Sequence, residues 1–140
     1  MNKLKILIAE DDDGHALLIE ETLQEAGIFN EIFRFRDGKE LWDFFTEKKS
    51  ELAFDSDNHY LVLLDINMPQ MSGLEVLQKM KETEILKKIP VMMLTTTDDP
   101  REIEKCYHLG CSVYITKPID FNEFIKTVNR LGLFIQVVKV

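Results

Sequence analysis

Cysteine is scarce: Cys106 and Cys111 are the only two in 140 residues. Two thiols are too few for the disulfide framework of a small secreted domain and too few for a four-thiolate metal site. They read as small buried apolar side chains near a helix end. Long apolar runs are missing as well, and none approaches the roughly 18–20 residues that a membrane helix needs. The opening Met-Asn-Lys-Leu-Lys passes directly into a strand, so a cytoplasmic chain without membrane contact is expected. Basic residues are outnumbered, 17 Lys and Arg against 25 Asp and Glu, for a net charge of −8. That balance argues against a nucleic-acid surface, because phosphate binding relies on Lys and Arg to release counterions. The three histidines, His15, His59 and His108, form no ligand pair at helical spacing and receive no role.

What is present points to one folded domain spanning 1–140, with a core at about 4–131 and an apolar tail at 132–140. Tyr60-Leu-Val-Leu-Leu64 is a short apolar run that meets Asp65 and then a turn punctuated by Pro69 and Gly73. Such a run reads as a strand buried on both faces. Leu4–Ala9, Ile32–Phe35, Val91–Leu94 and Val113–Thr116 are four further strand candidates. Between them lie helical segments. The first carries Leu17, Leu18, Leu23 and Ala26 and is stopped by Gly27. The second carries Leu41, Trp42, Phe44 and Phe45, and the third Leu74, Leu77 and Met80. A fourth starts with Asp99-Pro100 in a capping box and stops at Gly110. The last, capped by Asp120 with Glu123, places Phe121, Phe124, Ile125, Val128 and Leu131 at the helical period. Glu47 to His59 is long for a connection in a compact domain and reads as a mobile surface loop.

Strands that alternate with helices give a parallel sheet covered on both faces. The expected fold is therefore doubly wound α/β, five strands and five helices in three layers. In such sheets ligands bind beyond the carboxyl ends of the strands, where the strand order reverses. Glu10 and Asp11 follow the first strand and Asp65 the third. If those strands are neighbours, three carboxylates gather, and they are stable together only with bound positive charge or an added proton. An all-oxygen cluster suits a hard divalent cation such as Mg²⁺. Thr95 and Lys117 end the fourth and fifth strands, adding a hydroxyl donor and an ammonium. Acidic residues after a strand are often only helix N-caps, and Asp12 or Asp13 is expected to cap the first helix. Four loaded strand ends, Asp11, Asp65, Thr95 and Lys117, exceed that explanation. Together they suit phosphoryl transfer to an aspartate, which depends on positioning and charge neutralisation.

On these residues the chain resembles the receiver domain of two-component response regulators, from about Leu4 to Leu131. Thirty residues separate Asp65 from Thr95, and 22 separate Thr95 from Lys117, as is usual in that family. The resemblance implies a flavodoxin-like strand order 2-1-3-4-5 and makes Asp65 the phosphoacceptor. It makes Asp11 a direct Mg²⁺ ligand, lets Glu10 act on the metal mainly through water, and has Asn67 offer its backbone carbonyl. Thr95 resembles the switch hydroxyl, Tyr114 the aromatic side chain that turns inward behind it, and Lys117 the lysine that pairs with phosphoryl oxygens. Pro118 follows a bond that is cis in the family. Glu10 stands where aspartate is commoner, and Thr96 borders the way to Asp65, which bears on phosphoryl lifetime.

The long 47–59 loop, the Tyr-Ile-Thr-Lys-Pro run and the Val-Val-Lys-Val ending are similar to small stand-alone regulators that include cyanobacterial phytochrome partners. The implied partners are a sensor histidine kinase, a phytochrome-type kinase among the candidates, and a downstream protein target. The apolar tail either packs back on its own domain or covers a second copy, with a two-fold homodimer through the last helix as the expected form. An alternative is a receiver-like adaptor that works without phosphorylation. A haloacid dehalogenase-type phosphatase would need an aspartate where Asn67 stands. A flavodoxin-like cofactor binder would need a phosphate-holding loop where Glu10-Asp11-Asp12-Asp13 repels one.

Overall fold

A computed structural model describes residues 4–47, 54–55, 58–95, 99–117, 120, 122–128 and 130. The elements alternate as β1 (Leu4–Ala9), α1 (Asp13–Glu25), β2 (Ile32–Phe35), α2 (Gly38–Thr46), β3 (His59–Leu64), α3 (Gly73–Lys81), β4 (Val91–Thr95), α4 (Pro100–His108) and β5 (Val113–Thr116). A fifth helix, α5, runs over 122–128. The five strands form one parallel sheet in the order β2-β1-β3-β4-β5, the expected flavodoxin-like arrangement.

Side chains alternate across a strand, so each buried strand feeds two cores. Leu7, Val62, Leu64, Val91 and Met93 face one side, where they meet Leu41, Phe44 and Phe45 of α2, Leu77 and Met80 of α3, and Cys106 of α4. Ile6, Ile8, Leu61, Leu63, Met92 and Leu94 face the other, against Ile19 and Leu23 of α1 and Phe124 and Val128 of α5. Each fully buried Leu, Ile or Phe contributes roughly 1.5–3 kcal/mol before the entropic cost of ordering it. Both cysteines are buried, as expected.

Each helix is started by a side chain that accepts from an otherwise orphaned N–H: Asp12 for α1, Asp37 for α2, Ser72 for α3 and Asp99 for α4. Asp120 accepts from the amides of Asn122 and Glu123 at 3.1 and 3.3 Å, as its position before α5 predicts. Gly27 and Gly110 have φ of 83° and 102°, the left-handed conformation that ends a helix most easily at glycine.

One expectation needs correction. Leu17, Leu18 and Ala26 are exposed, and α1 buries Ala16, Ile19 and Leu23, of which only Leu23 was expected. Those three recur at i, i+3 and i+7, which is one stripe, whereas Leu17 and Leu18 are turned away from it by the helical rotation. Of the 47–59 stretch expected as a surface loop, residues 48–53 and 56–57 lie outside the described residues; Phe54 packs on Tyr60, Phe45 and Phe44, with ring centroids at 5.1, 5.4 and 6.3 Å. Tyr60 Oη accepts from the Asp55 amide at 3.0 Å. Thr96, Pro118, Phe121, Leu131 and the 132–140 tail lie outside the described residues.

Candidate functional site

The strand register assembles the site. Ala9 pairs with Leu64, and the Asp65 amide donates to the Ala9 carbonyl at 3.1 Å, so Glu10 and Asp65 leave adjacent strands side by side. Thr95 pairs with Thr116, and the Lys117 amide donates to the Thr95 carbonyl at 2.7 Å. The sequence of strand neighbours turns back between β1 and β3, which is the crevice where doubly wound sheets bind ligands. Glu10, Asp65, Thr95 and Lys117 therefore end their strands on one sheet edge.

Glu10, Asp65 and Thr95 are buried. Burying two carboxylates without compensation is costly, and Lys117 provides the compensation. Its ammonium, with the side chain only 8% exposed, donates to Glu10 Oε1 and lies 3.5 Å from Asp65 Oδ2. The His15 Nδ1 is 3.4 Å from the same ammonium. On the acidic side, Glu10, Asp11 and Asp65 each offer one carboxylate oxygen within 4.8 Å of the others. Asp11 is exposed, which leaves the cluster open to solvent. Three oxygen donors, one of them solvent-facing, fit a hard divalent cation that keeps several waters.

The surrounding backbone holds these groups in place. The Asn67 amide points at Asp65 Oδ1 at 3.3 Å, and the Asp12 amide at Glu10 Oε2 at 3.3 Å. Gly73 opens α3 against the backbone of Asp65: a Cβ there would sit 2.2 Å from the Asp65 carbonyl oxygen. The Gly73 amide donates to the Ile66 carbonyl at 2.9 Å, closing the turn after Asp65. Tyr114 is half-buried, and its amide donates to Tyr107 Oη on α4 at 3.2 Å. The backbone amide of His15 holds the Asp12 carboxyl below its ordinary range, and a hydrogen bond from Arg34 does the same for Asp13.

A family model for the response regulator receiver domain matches residues 6–129. The chain belongs to the response regulator receiver family. Such proteins are signalling domains rather than conventional enzymes. The response regulator Rcp1 of Synechocystis is 33% identical over 129 residues, covering 92% of this chain and 86% of that one. A receiver domain from Rhodospirillum rubrum is 44% identical, with a TM-score of 0.75 over 95% of this chain and 94% of the other. The phosphorylated cyanobacterial phytochrome response regulator RcpA has 33% identity and a TM-score of 0.77 over 96% and 94% of the two chains. Rcp1 has also been solved with Mn²⁺ bound, at 31% identity and a TM-score of 0.73 over 93% and 92%.

Of the residues expected at this receiver site, the structure brings the side chains of Glu10, Asp11, Asp65 and Lys117 together. Thr95 ends β4 at that edge, Tyr114 lies on the neighbouring β5 opposite Met93, two positions further in, and Asn67 contributes its amide to Asp65. Two further residues at the site carry little sequence signal. His15 gave no pairing signal, because its partner Lys117 is 102 positions away. Arg34 was legible only as a lone charge in the apolar strand Ile-Phe-Arg-Phe.

Proposed function

We propose that this receiver takes a phosphoryl group onto Asp65 from a histidine kinase or phosphotransfer protein in a Mg²⁺-dependent reaction. It then signals by changing its protein-interaction surface. The observation that best supports this is the Lys117 ammonium, held between Glu10 and Asp65 where a phosphoryl group would attach.

Glu10, Asp11 and Asp65 would hold Mg²⁺, together with the Asn67 carbonyl, and the bound ion would supply neutralisation of the phosphoryl oxygens. The Asp65 carboxylate oxygen attacks phosphorus, the P–N bond to the donor imidazole breaks, and its electron pair returns to the ring nitrogen. The new group adds roughly −1.5 to −2 charge and three strong acceptors. Lys117 then exchanges Glu10 for a phosphoryl oxygen. The Thr95 hydroxyl donates to another, and Tyr114 packs inward behind it. The surface formed by α4, β5 and α5 then differs between the two states, and a downstream protein reads it. A two-fold homodimer through α5 is the assembly proposed, and the cytoplasm the setting. The likeness to RcpA, a phytochrome response regulator, makes a phytochrome-type kinase the first donor to try.

Intact mass recorded after incubation with acetyl phosphate tests the reading. One added phosphoryl group, dependent on Mg²⁺ and absent from Asp65→Asn, is expected. Failure to gain it, with beryllofluoride also failing to bind, would leave the phosphorylation-independent adaptor in its place.

A further inference from the structure

Arg34 occupies the interior of β2, opposite Ile8 of β1, and its neighbours Phe33 and Phe35 pack into the α2 side of the core. Its side chain, 19% exposed, bonds the segment that carries the acidic ligands. Nε and one terminal nitrogen both donate to the backbone carbonyl of Glu10, at 3.0 and 2.6 Å. The other terminal nitrogen lies 2.6 Å from Asp13 Oδ1. One rigid guanidinium thus grips Glu10 and Asp13, the two ends of the Glu10-Asp11-Asp12-Asp13 segment. Asp11, the exposed carboxylate of the cluster, sits between the two fixed points. The Arg36 side chain, 64% exposed, donates to Asp13 at 2.9 Å and makes no contact with the Glu10 backbone among the described hydrogen bonds.

We propose that Arg34 is a positioning residue for divalent-cation binding, acting through the Glu10 backbone to hold the Glu10 and Asp11 carboxylates in register with Asp65. The proposal rests on reading Glu10, Asp11 and Asp65 as a cation site. Two effects of Arg34 have opposite signs. Its positive charge repels an incoming cation, although Asp13 neutralises much of it. Its hydrogen bonds preorganise the ligand loop, and Mg²⁺ demands near-ideal octahedral geometry that a loose loop supplies poorly. Groups that orient metal ligands typically account for about 10–100-fold in affinity, so positioning outweighs repulsion. Lysine would keep the charge but not the planar pair of donors on one carbonyl.

Calorimetric titration of the full chain with Mg²⁺, and separately with Ca²⁺, tests this for Arg34→Met and Arg34→Lys. Both variants are expected to lose about tenfold or more in Mg²⁺ affinity and distinctly less for Ca²⁺, whose flexible coordination tolerates a loosened loop. The Mg²⁺ to Ca²⁺ preference therefore falls. Equal losses for both ions would mark a merely structural role, tighter binding of both a purely electrostatic one, and unchanged affinities no role; each would overturn the proposal. The Lys variant keeps stem and charge and serves if the Met variant fails to fold. Absence of Mg²⁺ binding in the native chain would instead sink the cation site, and the proposal with it.

Discussion

The Lys117 ammonium lies 3.5 Å from Asp65 Oδ2 while donating to Glu10 Oε1, so one buried cation serves two buried carboxylates from two other strands. A divalent cation held by Glu10, Asp11 and Asp65 would therefore compete with Lys117 for the same negative charge.

Replacing Lys117 by methionine leaves those carboxylates uncompensated. Removing one partner of a buried pair commonly destabilises by about 3–5 kcal/mol. In Mg²⁺-free buffer, Lys117→Met is expected to melt well below the native chain, and added Mg²⁺ should recover much of the loss. Its Mg²⁺ affinity should rise, whereas phosphorylation by acetyl phosphate should slow on the order of 10²-fold, because a donor to the phosphoryl oxygens is gone. Equal melting of the two chains without Mg²⁺ would show that Lys117 does not neutralise the cluster.

Gly73 bears on Asp65 through the side chain it lacks as well as through its amide. An added Cβ would meet the Asp65 carbonyl oxygen at 2.2 Å and the Ile66 Cα at 2.9 Å, both backbone atoms that cannot swing aside. Overpacking of this kind costs about 1–3 kcal/mol. Gly73→Ala should therefore lower the urea midpoint and also weaken Mg²⁺ binding, because Asp65 must shift. Gly14→Ala, whose nearest contact is the Asp12 side chain at 3.2 Å, should leave both nearly unchanged. A Gly73→Ala protein as stable as the native chain would refute the contact.

The acid side of the stability profile follows from three carboxyls whose folded values are depressed, Asp12 and Asp13 exposed and Asp99 partly so. Asp12 is lowered chiefly by the His15 amide, Asp13 by the hydrogen bond from Arg34 and Asp99 by that from Arg101. A depressed folded value means stability that is present above the ordinary value near 3.8 and lost as pH falls through the lower folded one. Urea unfolding measured between pH 5 and about 2 should show that loss, and Asp13→Asn should flatten part of it. Added salt should shrink the effect, since these groups face solvent. Identical pH profiles for Asp13→Asn and the native chain would exclude the Arg34 pairing as a source.

Much of the fold could be read from the sequence because strand boundaries coincide with chemistry. Ile6–Ala9 and the run Tyr60–Leu64 are apolar until the residue that leaves the core, and Asp12, Asp99 and Asp120 announce the helices they cap. Asp65, Glu10 and Lys117 were legible for the same reason: each stands one residue past a strand end. His15 and Arg34 were not, since their partners are set by register and not by nearby sequence: His15 meets Lys117 only across the assembled sheet edge. Leu17 and Leu18 misled because α1 has more apolar residues than its buried stripe can take. Phe54 stands in a charged stretch whose pattern does not announce its packing on Tyr60, six residues on.

The two cysteines give the alkaline counterpart of the carboxyl argument. Burial raises the Cys106 thiol to about 11 and the Cys111 thiol to about 12, from an ordinary value of 9.0. Thiolate is the reactive form, so neither side chain should react with iodoacetamide in the native chain at pH 8, while both should react in urea. A raised folded value also means stability that is intact below pH 9 and lost as pH climbs through the folded values. The Cys106→Ala, Cys111→Ala double variant should therefore lose less stability than the native chain between pH 9 and 12. It should start from a somewhat lower level, because each replacement leaves a small void. Rapid native labelling of either thiol at pH 8, read by intact mass, would show that the α4 end opens far more readily than its packing against β5 implies.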